Sequence, residues 1–113
     1  MKQRQLEIIL EQVQSFKFPS ATREQYATSA PIAAQRLYFA YLRGDIAGLT
    51  VVDLGCGTGV LAVGAALLGG VSTGVDSDEQ ALDLARTNAR LLGVQVSWLN
   101  SRIEDSRVRS TRS

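Results

Sequence analysis

The run from Thr50 to Gly59 constrains this chain more than any other part of it. A short apolar segment with two valines, Thr-Val-Val-Asp-Leu, passes directly into Gly-Cys-Gly-Thr-Gly, and helix-forming residues follow from Val60. A buried strand that ends in closely spaced glycines and then a helix is a nucleotide-handling arrangement. Glycine lets the backbone turn sharply and lets a ligand approach with no Cβ in the way. The helix that follows directs its free N–H groups at whatever the loop holds.

The alternation continues downstream. Val60 to Leu68 reads as a helix stopped by Gly69-Gly70, and Val71 to Val75 as a second strand. Asp78 to Leu92 reads as a helix with Leu82, Ala85, Ala89 and Leu92 on one face, ended by Gly93, and Val94 to Leu99 as a third strand. This β-α-β-α-β order predicts an α/β fold with a parallel sheet and right-handed crossovers. Gly64, inside a helix, is expected to allow close packing of that helix on the sheet.

Ahead of this unit, Lys2 to Gln14 carries Leu6, Ile9, Leu10 and Val13 at helical spacing. Ser15 to Ala21 reads as an extended connector and Arg23 to Ala30 as a polar loop. Ser29 is placed to cap a second helix, with Pro31 in its first turn, that runs to about Arg43 and ends at Gly44. The tail, Ser101 to Ser113, holds four arginines, four serines and two apolar residues, and is expected to be disordered. The expected organisation is a helical segment over 1–45, a ligand-binding half-domain over 46–105 and a tail over 106–113.

Composition narrows the chemistry. A chain of 113 residues makes one small domain or a piece of a larger one. Its net charge of +1 exerts no global pull on nucleic acid. One cysteine excludes an internal disulfide and fits a reducing compartment. The absence of histidine removes the usual general base, the usual zinc ligand and every Cys/His pair, so no metal site is expected. No apolar run approaches ~18 residues, and Met1 to Leu10 lacks the apolar core of a signal peptide. The expectation is a soluble, cytoplasmic protein with no membrane partner.

Glycine spacing separates cofactors. A dinucleotide loop wants G-x-G-x-x-G. Here Gly55, Gly57 and Gly59 alternate, and Val60 stands where the third glycine of that fingerprint belongs. Asp53, at the carboxyl end of the strand, would repel a pyrophosphate and suits a ligand that carries an amino group and a sulfonium. Asp76 ends the second strand, where an acid can accept hydrogen bonds from both ribose hydroxyls. Together these features predict S-adenosylmethionine (SAM) as the cofactor, held by Asp53, the loop Gly55, Cys56, Gly57, Thr58 and Gly59, and Asp76. A plain tight turn is the competing reading of the glycines, and a helix cap that of Asp76. Asp78 is taken as the cap. Cys56, with no histidine to activate it, is expected to be a small packing residue of the loop.

The order of these pieces resembles the methyltransferase-like family that methylates N6 of an adenosine in small-subunit ribosomal RNA, and archaeal RNA methylases in particular. The similarity rests on Leu10-Glu11-Gln12-Val13, Phe16, Pro19, Glu24-Gln25-Tyr26-x-Thr28 and Pro31-x-Ala33-Ala34. It continues through Asp53 to Leu61, then Gly74-Val75-Asp76-x-Asp78-x-x-Ala81-Leu82 and Asn88. The Glu-Gln-Tyr-x-Thr element is the specific part, because generic SAM enzymes lack it. The resemblance implies a Rossmann-like fold with strand order 3-2-1 and an amino-terminal helical extension. It implies that Gly55, Thr58 and Val60 line the cofactor loop, that Asp76 holds the ribose, and that Gln25 and Thr28 reach over the cofactor, although a solvated polar loop is the plainer reading of the last two. It places Ser101 where the family commonly has an acid near the adenine. It also implies RNA as substrate and, by analogy with eukaryotic relatives, a small zinc-binding adaptor.

The chain departs from that family in one respect. Enzymes that methylate amino groups carry [Asn/Asp]-Pro-Pro-[Phe/Tyr/Trp] after the fourth strand, where the polar side chain accepts the amine's protons and the aromatic ring stacks on the base. The only prolines here are Pro19 and Pro31, and neither Asn88 nor Asn100 precedes one. No catalytic residue is therefore assigned, and the chain is expected to be inactive alone. Truncation or an altered reading frame near Asp105 or Ser106 is one explanation, and a natural short protein is the other. Ending after three strands leaves Thr50 to Leu54 at a sheet edge, where it invites self-association. The alternatives to a methyltransferase are a non-catalytic SAM-binding fragment and a nicotinamide-dependent oxidoreductase. The glycine spacing and the lack of Tyr-x-x-x-Lys disfavour the oxidoreductase.

Overall fold

Among the described residues, seven elements form in the order helix, helix, strand, helix, strand, helix, strand. They are α1 (Gln3–Gln14), α2 (Ala30–Leu42), β1 (Thr50–Leu54), α3 (Val60–Leu67), β2 (Val71–Asp76), α4 (Glu79–Leu91) and β3 (Val96–Asn100). They are seen in a computed structural model, which describes residues 1–14 and 28–102. The expected connector over 15–21, most of the loop over 23–30 including Gln25, and the tail beyond Arg102 lie outside the described residues.

Local chemistry sets the boundaries. The Ser29 hydroxyl accepts the N–H of Ile32 at the start of α2, with proline in the first turn. Asp78 caps α4 through the N–H groups of Gln80 and Ala81, as its sequence position predicted. The third strand begins at Val96 rather than Val94. Val94 instead closes the turn after α4, its N–H donating to the carbonyl of Ala89.

The three strands are parallel in the order β1-β2-β3, which is the predicted 3-2-1 order seen from the other side. Asp53 pairs with Gly74, and Gly74 with Trp98. Side chains alternate across the sheet, so Val51, Asp53, Ser72, Gly74, Asp76, Val96 and Trp98 share one face. The hydrophobic core lies on that face. Leu6, Leu10 and Val13 of α1 meet Ala33, Ala34 and Leu37 of α2 and Val60 and Val63 of α3, with Val51, Val96 and Trp98 packed against them.

Two expectations need correction here. β1 was read as buried, yet its residues alternate between exposed and half-buried, with Val52 39% exposed. The apolar run describes a strand covered on both faces, whereas Val52, Val71 and Leu99 all lie on the face opposite the core and remain exposed. Gly64 does permit close packing, but against helices rather than the sheet. A Cβ there would sit 2.4 Å from Cδ1 of Leu37 on α2 and 3.5 Å from Leu10 on α1.

Candidate functional site

The carboxyl ends of β1 and β2 converge on the glycine loop, where open α/β sheets place their ligands. The N–H groups of Gly55 and Cys56 both donate to the carbonyl of Val75, at 2.7 and 2.9 Å, so the loop begins by folding over the end of β2. Gly55, Gly57 and Gly59 have φ of +71, +56 and +86°. A side chain at any of the three would be strained, which is the physical reason for the alternating pattern. Gly59 then stands at the N-cap of α3, and its carbonyl accepts the N–H of Val63.

Asp76 joins the loop to the sheet. Its Oδ2 accepts the N–H of Gly57 at 2.8 Å, and its Oδ1 accepts the N–H of Asp78 at 2.9 Å. It does not cap α4, because Asp78 does. Ser101 lies alongside, its N–H donating to the Asp76 carbonyl at 3.0 Å. The site therefore brings Asp76, Ser101 and the loop together.

Asp53 contributes a second carboxylate from the end of β1. Burial pushes its pKa from an ordinary 3.8 up to about 6. The N–H of Ala62 in the first turn of α3 opposes that shift, and the negative charge of Asp76 adds to it. Two acids beside a loop with no basic residue of its own make the carboxyl end of the sheet locally negative. A cation suits it and a pyrophosphate does not.

Cys56 is buried, and its thiol is pushed up to about 12, chiefly by burial and then by Asp53 and Asp76. A thiol so far from ionisation is no nucleophile at neutral pH, in agreement with the packing role expected of it. Thr58 is half-buried in the loop and Val60 is buried at the start of α3. Thr28 lies just ahead of the α2 cap, and no hydrogen bond joins it to the loop among the described residues. No cluster suited to a metal ion occurs among the described residues, and none of their helices is long and apolar enough to cross a membrane.

Two supporting residues had no structural role assigned from the sequence: Trp98, which was not singled out, and Asn88, named only within the family resemblance. Trp98 lies beneath the loop: a Cβ on Gly74 would stand 2.4 Å from its ring, and one on Gly59 would stand 2.9 Å from it. The Nδ2 of Asn88, from α4, donates to the carbonyl of Thr58 at 3.0 Å. The glycine opposite an aromatic in the strand register was the one available signal for the first. For Asn88 the resemblance named the residue, but nothing local signals its bond to Thr58.

Comparison with known proteins agrees with this geometry. The family model described as ribosomal protein L11 methyltransferase (PrmA) matches residues 38–109. The chain is similar to the rRNA N(6)-adenosine-methyltransferase of Danio rerio, at 48% identity over 90 residues, covering 78% of this chain and 44% of that protein. It is also similar to an uncharacterized protein of Methanocaldococcus jannaschii, at 37% identity over 106 residues, covering 93% of this chain and 48% of that one. Among solved structures, a candidate RNA methyltransferase from Pyrococcus horikoshii superposes with a TM-score of 0.81 at 35% identity, covering 93% of this chain and 53% of that one. The chain thus spans about half the length of the curated relatives it matches. The family model covers more than half of the chain, and on that match the chain belongs to this methyltransferase family, with an rRNA N(6)-adenosine-methyltransferase among its relatives.

Proposed function

We propose that this chain is the cofactor-binding half of a SAM-dependent methyltransferase that acts on N6 of an adenosine in ribosomal RNA. The observation that carries this reading is the meeting of Asp53, the Gly55–Gly59 loop and Asp76 at one end of the sheet.

The residues fit the cofactor. SAM supplies a methyl group on a positively charged sulfur, a good leaving group that needs no strong base. Asp76 spends one lone pair of each oxygen on the N–H groups of Gly57 and Asp78, which leaves the others to accept the ribose hydroxyls. Burial disfavours the ionised form of Asp53, and a cation beside it would favour that form. Gly55, Cys56, Gly57, Thr58, Gly59 and Val60 form the cradle, and Ser101 borders it next to Asp76. Gln25 and Thr28 are assigned above the cofactor by family resemblance alone.

The adenosine substrate is assigned from the similarity to the Danio rerio enzyme and from the Glu24-Gln25-Tyr26-x-Thr28 element. This chain holds no Asn-Pro-Pro motif, so the acceptor amine would be gripped elsewhere. Mixing the chain with the complementary carboxyl-terminal part of a relative, then assaying methyl transfer to small-subunit rRNA, tests the proposal. Methylation by the mixture and none by the chain alone is expected. Turnover by the 113-residue chain alone contradicts the division of labour, and SAM binding without activity in any mixture favours the non-catalytic alternative.

Two finer partners belong to the same reading. One is a small zinc-binding adaptor, inferred only from the resemblance. The other is a second copy pairing through Thr50–Leu54, supported by the unpaired outer edge of β1 among the described strands. A cytoplasmic location is part of the same proposal.

A further inference from the structure

Asn88 is the one wholly buried polar side chain of α4, at 0% exposure, and the function proposed above gives it no task. Its Nδ2 donates to the carbonyl of Thr58, thirty residues earlier in the chain. Its Oδ1 has no hydrogen-bond partner among the described residues. A buried acceptor without a partner is a standing cost. Leucine has the same heavy-atom count and branching without that cost, so the observed Nδ2 donor bond is what an asparagine adds at this position.

The acceptor explains why. The peptide between Thr58 and Gly59 is held at both ends. Its carbonyl accepts from Asn88, and its N–H donates to the carbonyl of Cys56 at 2.8 Å. Because a trans peptide points its C=O and N–H in opposite directions, the two bonds fix the orientation of the whole plane. Next to it, the N–H of Gly57 is held by Asp76. Side chains from β2 and α4 thus grip successive parts of the loop. Glycine on either side would otherwise let these peptides rotate.

We infer that Asn88 is a positioning residue that locks the Thr58–Gly59 peptide of the cofactor loop in its binding orientation before any ligand arrives. The inference rests on the SAM reading only for what the loop binds, not for the lock itself.

The test compares the 113-residue chain with Asn88→Leu and Asn88→Ala. The alanine variant serves if leucine overfills the site. Three quantities are measured: thermal unfolding, amide hydrogen exchange without ligand, and calorimetric titration with SAM. In either variant the Gly59 amide is expected to exchange at least tenfold faster, while amides of the β2 ladder such as that of Val75 keep their protection. SAM affinity is expected to fall about tenfold in a variant that keeps a single cooperative unfolding transition. Unchanged exchange at Gly59, or a rise shared equally by the β2 ladder, overturns the inference. Failure of the wild-type chain to bind SAM counts against the cofactor reading instead, and leaves the exchange comparison to decide the lock.

Discussion

Asp76 at the end of β2 holds the backbone N–H of Gly57, nineteen residues earlier, at 2.8 Å. The acid assigned to the ribose is thus also the clamp on the loop. Asp76→Ala is expected to remove both at once. Hydrogen bonds to a charged acceptor contribute about 1.5–3 kcal/mol each, so SAM affinity should fall at least tenfold, with a lower unfolding temperature. Asp76→Asn keeps one acceptor oxygen and should fall between wild type and alanine. Titration calorimetry and thermal unfolding on the same samples check both effects.

Asp53 is expected to make ligand binding depend on pH. Its folded pKa, about 6, lies above the ordinary 3.8, so the folded chain holds this proton more tightly than the unfolded one. Its contribution to stability is therefore fully present below about pH 4 and is lost as pH rises through 6. The differential corresponds to about 3 kcal/mol at most. A cationic ligand favours the ionised form, so SAM affinity should rise roughly tenfold between pH 5 and pH 7. Asp53→Asn should flatten both profiles, as read by calorimetry and denaturant unfolding across that range.

Gly74 leaves room for Trp98. A Cβ there would lie 2.4 and 2.6 Å from two atoms of the indole and 3.0 Å from the sulfur of Cys56. A ring cannot yield as the end of a flexible chain can. Gly74→Ala is expected to cost about 1–3 kcal/mol through overpacking. It should also shift the emission of Trp98, the chain's single tryptophan.

Cys56 offers a negative control. Its thiol is buried and pushed up to about 12. The native chain should resist alkylation by iodoacetamide at pH 8 and react only after unfolding. Cys56→Ala should retain SAM binding within about threefold, and mass spectrometry with calorimetry checks both.

Much of this was legible in the sequence because the signals are local. Thr50 to Leu54 announced its strand by composition and its end by glycine. Ser29 and Asp78 announced their caps because the polar oxygen and the N–H groups it binds are two or three residues apart. What escaped is non-local. The exposure of Val52, Val71 and Leu99 depends on what lies over the second face of the sheet, and an apolar run reads the same either way. The partners of Gly64 turned out to be α1 and α2, because a missing side chain says that something approaches but not what. The Asn88–Thr58 bond spans thirty residues and leaves no periodic trace. For Asp76 the sequence left a ribose contact and a helix cap side by side; Asp78 takes the cap, and the bond from Asp76 to Gly57 was visible only in three dimensions.

Titration of the purified 113-residue chain with SAM, and in parallel with NADH, tests the cofactor assignment most directly. A saturable one-to-one heat with SAM, weakened by Asp76→Ala and absent with NADH, is the predicted result. A folded sample that binds NADH and gives no heat with SAM would contradict it.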